Sequence, residues 1–337
     1  MPTEAELARR GRRGGEAAGD YESADALLAR ILAERRARWE EERWESEIER
    51  AKKKAAQAER KAAGLPHYVR DLETKDWAHR TLEEYGRYLP KSDGWKERYD
   101  EPQPPDMEGL PELPEGWVWA SLDQLTCHIT SGSRGWAKYY SDQGPIFIRA
   151  QDINTDELLL ENVARVDLPE SVEGDRARVV KDDLLVTITG ANVTKTALVR
   201  QRIAEAYVSQ HVGLVRPIMG RTSQYLYQWI ISPVHGRRTL ERNAYGAGKP
   251  GLNLTNLREL SIALPPLAEQ RRIVEEVERR LSVVQVLEQS IEANLTRAER
   301  LRQAILKKAF EGRLVDQDPD DEPASVLLAR VKARRGT

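Results

Sequence analysis

The sequence predicts an α+β chain, with one globular domain of short strands and short helices flanked by long coiled-coil-like helices. Three observations carry that prediction. Residues 20–63 and 267–311 contain no glycine or proline and are built from strong helix formers. Between them, from about 116 to 265, short apolar runs are separated by glycine-containing turns, without the regular βαβ alternation of a parallel sheet. Charged residues make up 32% of the 337, and aromatics only 6%, a bias that suits long solvated helices better than a compact enzyme.

The elements follow in chain order. Residues 1–63 hold a long helix in which Leu27, Leu28, Ile31 and Leu32 make one apolar patch. Beyond Arg36 the pattern thins to Trp39, Trp44 and Ile48, so the remainder reads as solvated. Residues 64–115 read as a linker, because 101–116 holds five prolines, five acids and no base, a composition that favours an extended path. The domain spans 116–265. WVWASL opens it as a strand, and Ser121 with Gln124 three positions later can cap a short helix. PIFIRA (145–150), DLLVTIT (183–189), TALVR (196–200) and HVGLVRPI (211–218) are strand candidates, whereas SQYLYQWIIS (223–232) reads as a helix.

In SIALPPLAEQRRIV (261–274) two prolines separate a strand from a helix. Pro265 keeps Leu264 out of helical conformation, and Pro266 suits a first helical turn. In the helix 266–311, Ile273, Val277, Leu281, Val284, Leu287, Ile291, Leu295, Leu301 and Ile305 recur at spacings that form a coiled-coil-like seam. At ~1.5 Å per residue such a helix is a rod of roughly 65 Å. Its single seam calls for another helix as partner. The last segment, 312–337, repeats 11–36: Ala24, Leu27, Leu28, Ala29 and Arg30 match Ala324, Leu327, Leu328, Ala329 and Arg330, which points to duplication.

Several function classes lack their motifs. There is no GxxxxGK[ST] loop, no GxGxxG turn and no GxSxG elbow. Neither Pro-Pro pair is followed by an aromatic residue, as the catalytic tetrad of an amino-methyltransferase would require. The single cysteine, Cys127, permits no internal disulfide, and the five histidines are scattered without metal-ligand spacing. No metal or cofactor is expected in the chain. With no apolar run of spanning length, a soluble, cytoplasmic protein is expected.

Charge points to a polyanion. Between Lys195 and Arg258 ten basic residues face two acidic ones, in a chain whose net charge is −2. Pairing with the acids of 152–183 would reduce that field. Three glycine-containing loops, 130–140, 189–195 and 243–256, can bring side chains to a duplex. Candidate contacts are Ser133, Arg134, Lys138, Arg149, Asn192, Lys195, Arg242, Asn243 and Lys249. Arginine and asparagine suit base edges, and lysine suits phosphates.

The runs LPELPEGWVWASLDQL (110–125), GAGKPGLNLTNLRELSIALPPLAEQRRIVEEVE (246–278) and AILKKAFEGRLVDQDPDDEPASVLLARV (304–331) closely resemble the specificity (S) subunit of type I restriction-modification systems, and in particular its C-terminal half. The resemblance implies that 116–265 is a target-recognition domain reading one half of a bipartite site in double-stranded DNA. It makes 266–311 a conserved spacer helix and residues 1–63 the tail of a first conserved region. Methylation would belong to methyltransferase (M) subunits with S-adenosylmethionine, and translocation and cleavage to restriction (R) subunits with ATP and Mg2+. A second copy of the chain, or a complementary half-subunit, would supply the other half-site. Two alternatives stay open: a coiled-coil protein-interaction adaptor, and an inactive remnant.

Overall fold

The computed structural model describes residues 22–64, 76–169, 174–246, 250–316 and 318–335. Helix α1 (Ala24–Ala62) starts where the Ser23 hydroxyl accepts the Ala26 N–H at 3.3 Å. Leu27 and Ile31 are fully buried in the core of the following domain. The distal part of α1 is not solvated as the sequence predicts. It is covered by residues 76–99, which include the short helix α2 (Leu82–Tyr85). Trp95 stacks on Trp39 at 6.2 Å and lies 5.7 Å from Trp44, and Tyr99 meets Trp39 edge-on at 5.2 Å. Lys96 Nζ pairs with Glu40 at 3.0 Å, and Lys52 Nζ donates to the Ala78 carbonyl at 3.0 Å. The described part of the expected linker is therefore a folded clasp. Its aromatic residues find the thin apolar face of α1, which neither segment can bury alone. Pro102 and Pro105 are buried too, and the Ser121 hydroxyl donates to the Gln103 carbonyl at 2.5 Å.

The domain proper runs β1 (Val118–Ser121), α3 (Leu122–Leu125), β2 (Thr126–Ser131), β3 (Tyr140–Ile148), β4 (Ile153–Asn154), β5 (Glu157–Leu158), β6 (Ala164–Val166), β7 (Leu184–Thr187), β8 (Thr196–Leu198), β9 (Ala206–Val208) and β10 (Val212–Pro217). It continues with α4 (Ser223–Ile231), α5 (Gly236–Asn243), α6 (Leu254–Arg258) and β11 (Ser261–Leu264). The expected Ser121–Gln124 capping box is present at α3. A four-stranded antiparallel sheet has the order β2-β10-β7-β8, and a three-stranded sheet has the order β6-β3-β9, in which β3 and β9 are parallel.

Strand β7 explains its unbroken apolar sequence. Leu184 and Val186 face one core with Leu27, Leu122, Leu226 and Leu257, while Leu185 faces a second core with Ile148, Val212 and Leu214. Both faces of the sheet are buried, so side chains of either parity must be apolar. Below the sheet, Arg216 Nε and Nη2 donate to the two Asp183 carboxylate oxygens at 2.8 and 2.9 Å, with Asp183 fully buried.

Strand β1 pairs antiparallel with β11, Val118 opposite Leu264. The chain then turns through Pro265 and Pro266 into α7 (Leu267–Phe310). The Pro266 carbonyl accepts the N–H groups of Glu269 and Gln270 at 2.9 and 3.0 Å. Gln270, 1% exposed, also donates its Nε2 to the Pro265 carbonyl at 2.9 Å. The two prolines set the bend, and this buried glutamine seals it.

Two compact units meet inside α7, at Val274/Glu275. Leu267, Gln270 and Val274 are buried with the first unit, and Ile273 packs against its core. Ile273 therefore lies outside the open seam in which the sequence places it, because the first turns of α7 still lie along the domain. In the second unit Leu281, Val284, Leu287, Ile291, Leu295, Leu301 and Ile305 are all 44–62% exposed. The helix ends at Gly312, whose φ of 68° is the left-handed conformation that favours glycine. A final helix, α8 (Ala324–Arg335), follows. The two segments share one local contact: Glu22 pairs with Arg30, and Glu322 pairs with Arg330. The rest of the N-terminal copy, residues 11–21, lies outside the described residues. Among the described residues no helix is long and apolar enough to cross a membrane.

Candidate nucleic-acid interface

Two of the three glycine-containing loops, 189–195 and 243–256, are joined to each other by main-chain hydrogen bonds, and the third, 130–140, is tied to the turn between β9 and β10. Loop 130–140 leaves β2 at Gly132, whose N–H donates to the Ser209 carbonyl at 3.2 Å. A Cβ at Gly132 would fall 1.9 Å from the Val208 carbonyl oxygen, so only glycine allows this approach. Trp136 then anchors the loop: it is 4% exposed and packs against Phe147 and Tyr207 at 5.9 and 5.6 Å. With its base fixed, the loop presents Arg134, Lys138 and Tyr140 to solvent. The Ser133 hydroxyl accepts from Arg176 at 3.2 Å, so it serves the loop's own geometry.

Loop 189–195 is held at Gly190, whose N–H donates to the Pro250 carbonyl at 3.1 Å. Next to it, Tyr245 and Gly251 exchange backbone hydrogen bonds at 3.0 and 2.9 Å, and the Leu252 N–H donates to the Ile188 carbonyl at 2.8 Å. Arg242 and Asn243 are exposed at the end of α5. Lys249 lies outside the described residues.

Some candidates are committed to the protein itself. Asn192 donates its carboxamide N–H groups to the carbonyls of Ala150 and Ile153 at 3.2 and 3.3 Å, tying its loop to residues 150–153. Arg149 holds Asp152 through Nε and Nη2 at 3.0 and 2.9 Å, and this bond raises its pKa further. Lys195 lies 3.8 Å from Asp156, which also pairs with Arg237. Together with Arg216 on Asp183, three of the ten basic residues of 195–258 are thus paired with acids of 152–183. Two carboxylates are shared among these three cations, so they remove two charges from the local excess. Arg202, Arg221, Arg238 and Arg242 remain exposed.

The structure also assembles a feature that the sequence does not reveal. Residues of the first loop, of 149–151 and of 209–211 line one cleft of about 290 Å3. Ser133 and Arg149 are on its wall, together with Tyr140, Gln151, Gln210 and His211. The glutamines lie in unrelated sequence surroundings, so only tertiary structure brings them together. Among the described residues no group of histidine, cysteine, aspartate or glutamate is placed to hold a metal ion.

Residues 139–297 match the family model described as Type I restriction modification DNA specificity domain. The EcoBI specificity subunit of Escherichia coli is 31% identical over 239 residues, covering 66% of this chain and 49% of the relative. The StySPI specificity subunit of Salmonella potsdam is 28% identical over 235 residues, covering 65% and 50%. The chain thus spans about half the length of the curated relatives it matches. The crystal structure of the HsdS subunit from Thermoanaerobacter tengcongensis aligns at 23% identity over 62% of this chain and 48% of that chain, with a TM-score of 0.42.

Proposed function

We propose that this chain, whose residues 139–297 match the type I restriction modification DNA specificity domain, is a non-catalytic DNA-recognition subunit that reads one half of a bipartite duplex target. The observation that carries the reading is a set of three loops pinned by main-chain hydrogen bonds, two to each other and one to the β9–β10 turn, with exposed Arg134, Lys138, Arg242 and Asn243 on or beside them. Cations at loop tips meet phosphates, and a pinned backbone aims neighbouring side chains at base edges. Partner subunits would supply the chemistry: methyltransferase subunits with S-adenosylmethionine, and restriction subunits with ATP and Mg2+. The exposed seam of α7 would take a second long helix, from another copy of this chain or a complementary half-subunit. One half-site alone gives weak, salt-sensitive binding, and two recognition domains held together recover affinity through avidity.

A second reading, a protein-binding adaptor, is favoured by one observation: Lys195, Arg216 and Arg237 are paired with Asp156 and Asp183, which offsets two of their three charges. The two readings separate on one experiment. The chain is co-expressed with the methyltransferase subunit of its host, the complex is sized by light scattering, and methylated adenines are mapped on treated DNA. Two copies of the chain and a symmetric bipartite motif support the recognition reading. A stable complex with no methylated motif supports the adaptor, and absence of any complex identifies a remnant.

A further inference from the structure

The cleft beside loop 130–140 is built for one base pair. Resting on the recognition reading above, we propose that Gln151 and Gln210, with Tyr140 beside them, read an A·T pair in the major groove of the half-site. None of these three residues is a charge contact, and the two glutamines lie outside the glycine-containing loops.

The chemistry begins with what a carboxamide offers. Adenine presents N7 as acceptor and its N6 amino group as donor, and a glutamine carbonyl with one N–H matches that pair. Gln210 Nε2 lies 3.1 Å from His211 Nε2. With that ring nitrogen as acceptor, Gln210 gives one N–H to His211 and keeps its carbonyl and second N–H for the base. In that tautomer the histidine holds the rotation of the amide, so that its carbonyl side stays toward the cleft. Tyr140 is 50% exposed and supported edge-on by Phe147 at 5.7 Å. Its ring offers apolar surface of the kind that a thymine methyl group packs against.

Recognition by hydrogen bonds needs positions held to fractions of an ångström, and both glutamines stand on fixed backbone. Gln210 is in the turn from β9 to β10, closed by Val212 N–H to the Ser209 carbonyl at 3.0 Å and joined to β3 by Ser209 N–H to the Ile148 carbonyl at 2.8 Å. Gln151 is in a single helical turn closed by Asp152 N–H to the Arg149 carbonyl at 3.0 Å. Asp152 in turn accepts the Arg149 N–H at 2.8 Å, and Asn192 holds the Ala150 carbonyl. This gives Arg149 and Asn192 a role other than direct contact: they are positioning residues for Gln151. Ser133 has the same role for loop 130–140.

The test is selection of bound duplexes from a randomised library by the full chain, alone and with its methyltransferase partner. Gln210→Ala reduces discrimination at one A·T position by about tenfold or more, the value of a lost bidentate contact, and Gln151→Ala reduces it at the same position by less, because only one carboxamide can pair both N7 and N6 of one adenine; other positions are unchanged. Gln210→Glu is the stricter variant, nearly isosteric and now acceptor-only. It shifts preference at that position toward the C·G pair, whose cytosine N4 donates. Lys138→Ala serves as contrast, weakening binding to all sequences alike. An unchanged motif in both alanine variants and in Gln210→Glu overturns the assignment while leaving DNA recognition intact. A wild-type chain that selects no motif in either form overturns the recognition reading itself, and the cleft with it.

Discussion

Replacing Arg216 with alanine tests whether this cation belongs to the DNA field or to the core. In the structure its guanidinium gives Asp183 two charge-assisted hydrogen bonds, at 2.8 and 2.9 Å. The Asp183 carboxylate is fully buried, and its one other partner is the Val180 N–H at 2.8 Å. Hydrogen bonds to charged groups contribute about 1.5–3 kcal/mol each, and breaking a buried pair from one side costs about 3–5 kcal/mol. We therefore expect Arg216→Ala to lose about 3–5 kcal/mol near pH 7, a large share of the stability of a typical domain. Burial already pushes the Asp183 carboxyl above the ordinary carboxylate range, while Arg216 pulls it back. A folded pKa above the unfolded one means that the folded state binds the proton more tightly, so stability falls as pH rises through the folded pKa. Without Arg216 that pKa rises further, so the deficit measured at pH 7 shrinks at a lower pH. Urea denaturation of both proteins at the two pH values measures it. A deficit below about 1 kcal/mol, the worth of a surface pair, or one equal at both pH values, would refute the reasoning.

Three more outcomes are expected. Gln270→Ala unseals the bend at Pro265–Pro266 and leaves the Pro265 carbonyl unpaired, lowering stability by about 1–3 kcal/mol in denaturant titrations; no change would mean that the prolines hold the junction alone. Trp95→Ala removes the ring shared by Trp39 and Trp44. Limited proteolysis should then cut residues 80–100 first while the domain core stays resistant, and unchanged cleavage would disprove the clasp. Leu287→Asp alters a side chain that is 56% exposed in the single chain. It should leave thermal unfolding of the isolated chain unchanged yet abolish pairing by light scattering, and normal assembly would remove the seam as an interface.

What could be read directly from the sequence was local. Helix α1, helix α7, the Ser121–Gln124 cap, the proline stop at 265–266 and the strands β3, β7, β8 and β10 each follow from propensity or periodicity within a few turns of chain. What was hidden depends on pairing across distance. β2 is Thr-Cys-His-Ile-Thr-Ser, partly polar because one side is half-exposed, and it becomes a strand through its ladder with β10. The clasp was missed because Trp39, Trp44 and Trp95 are unremarkable until α1 and residues 76–99 are laid together. At the site, the positive charge and its possible offset by the acids of 152–183 are legible in the sequence, but which cations pair with Asp156 and Asp183 is not. Arg149 and Asn192 carry side chains able to meet a base, yet Arg149 is committed to the Asp152 carboxylate and Asn192 to the carbonyls of Ala150 and Ile153.

Main-chain bonds, more than side chains, carry the loops: Gly132 to Ser209, Gly190 to Pro250, Ile188 to His211 and Leu252, and Tyr245 to Gly251. Side chains at the tips are thereby released from scaffolding duty. Substitution at Arg134, Lys138, Tyr140, Gln151 or Gln210 removes no strut, so mutation can explore new specificities without passing through unfolded intermediates. In a lineage under pressure to change its address on DNA, such a frame can persist while the readout drifts. Gly132 is the exception, a position where inheritance has no freedom.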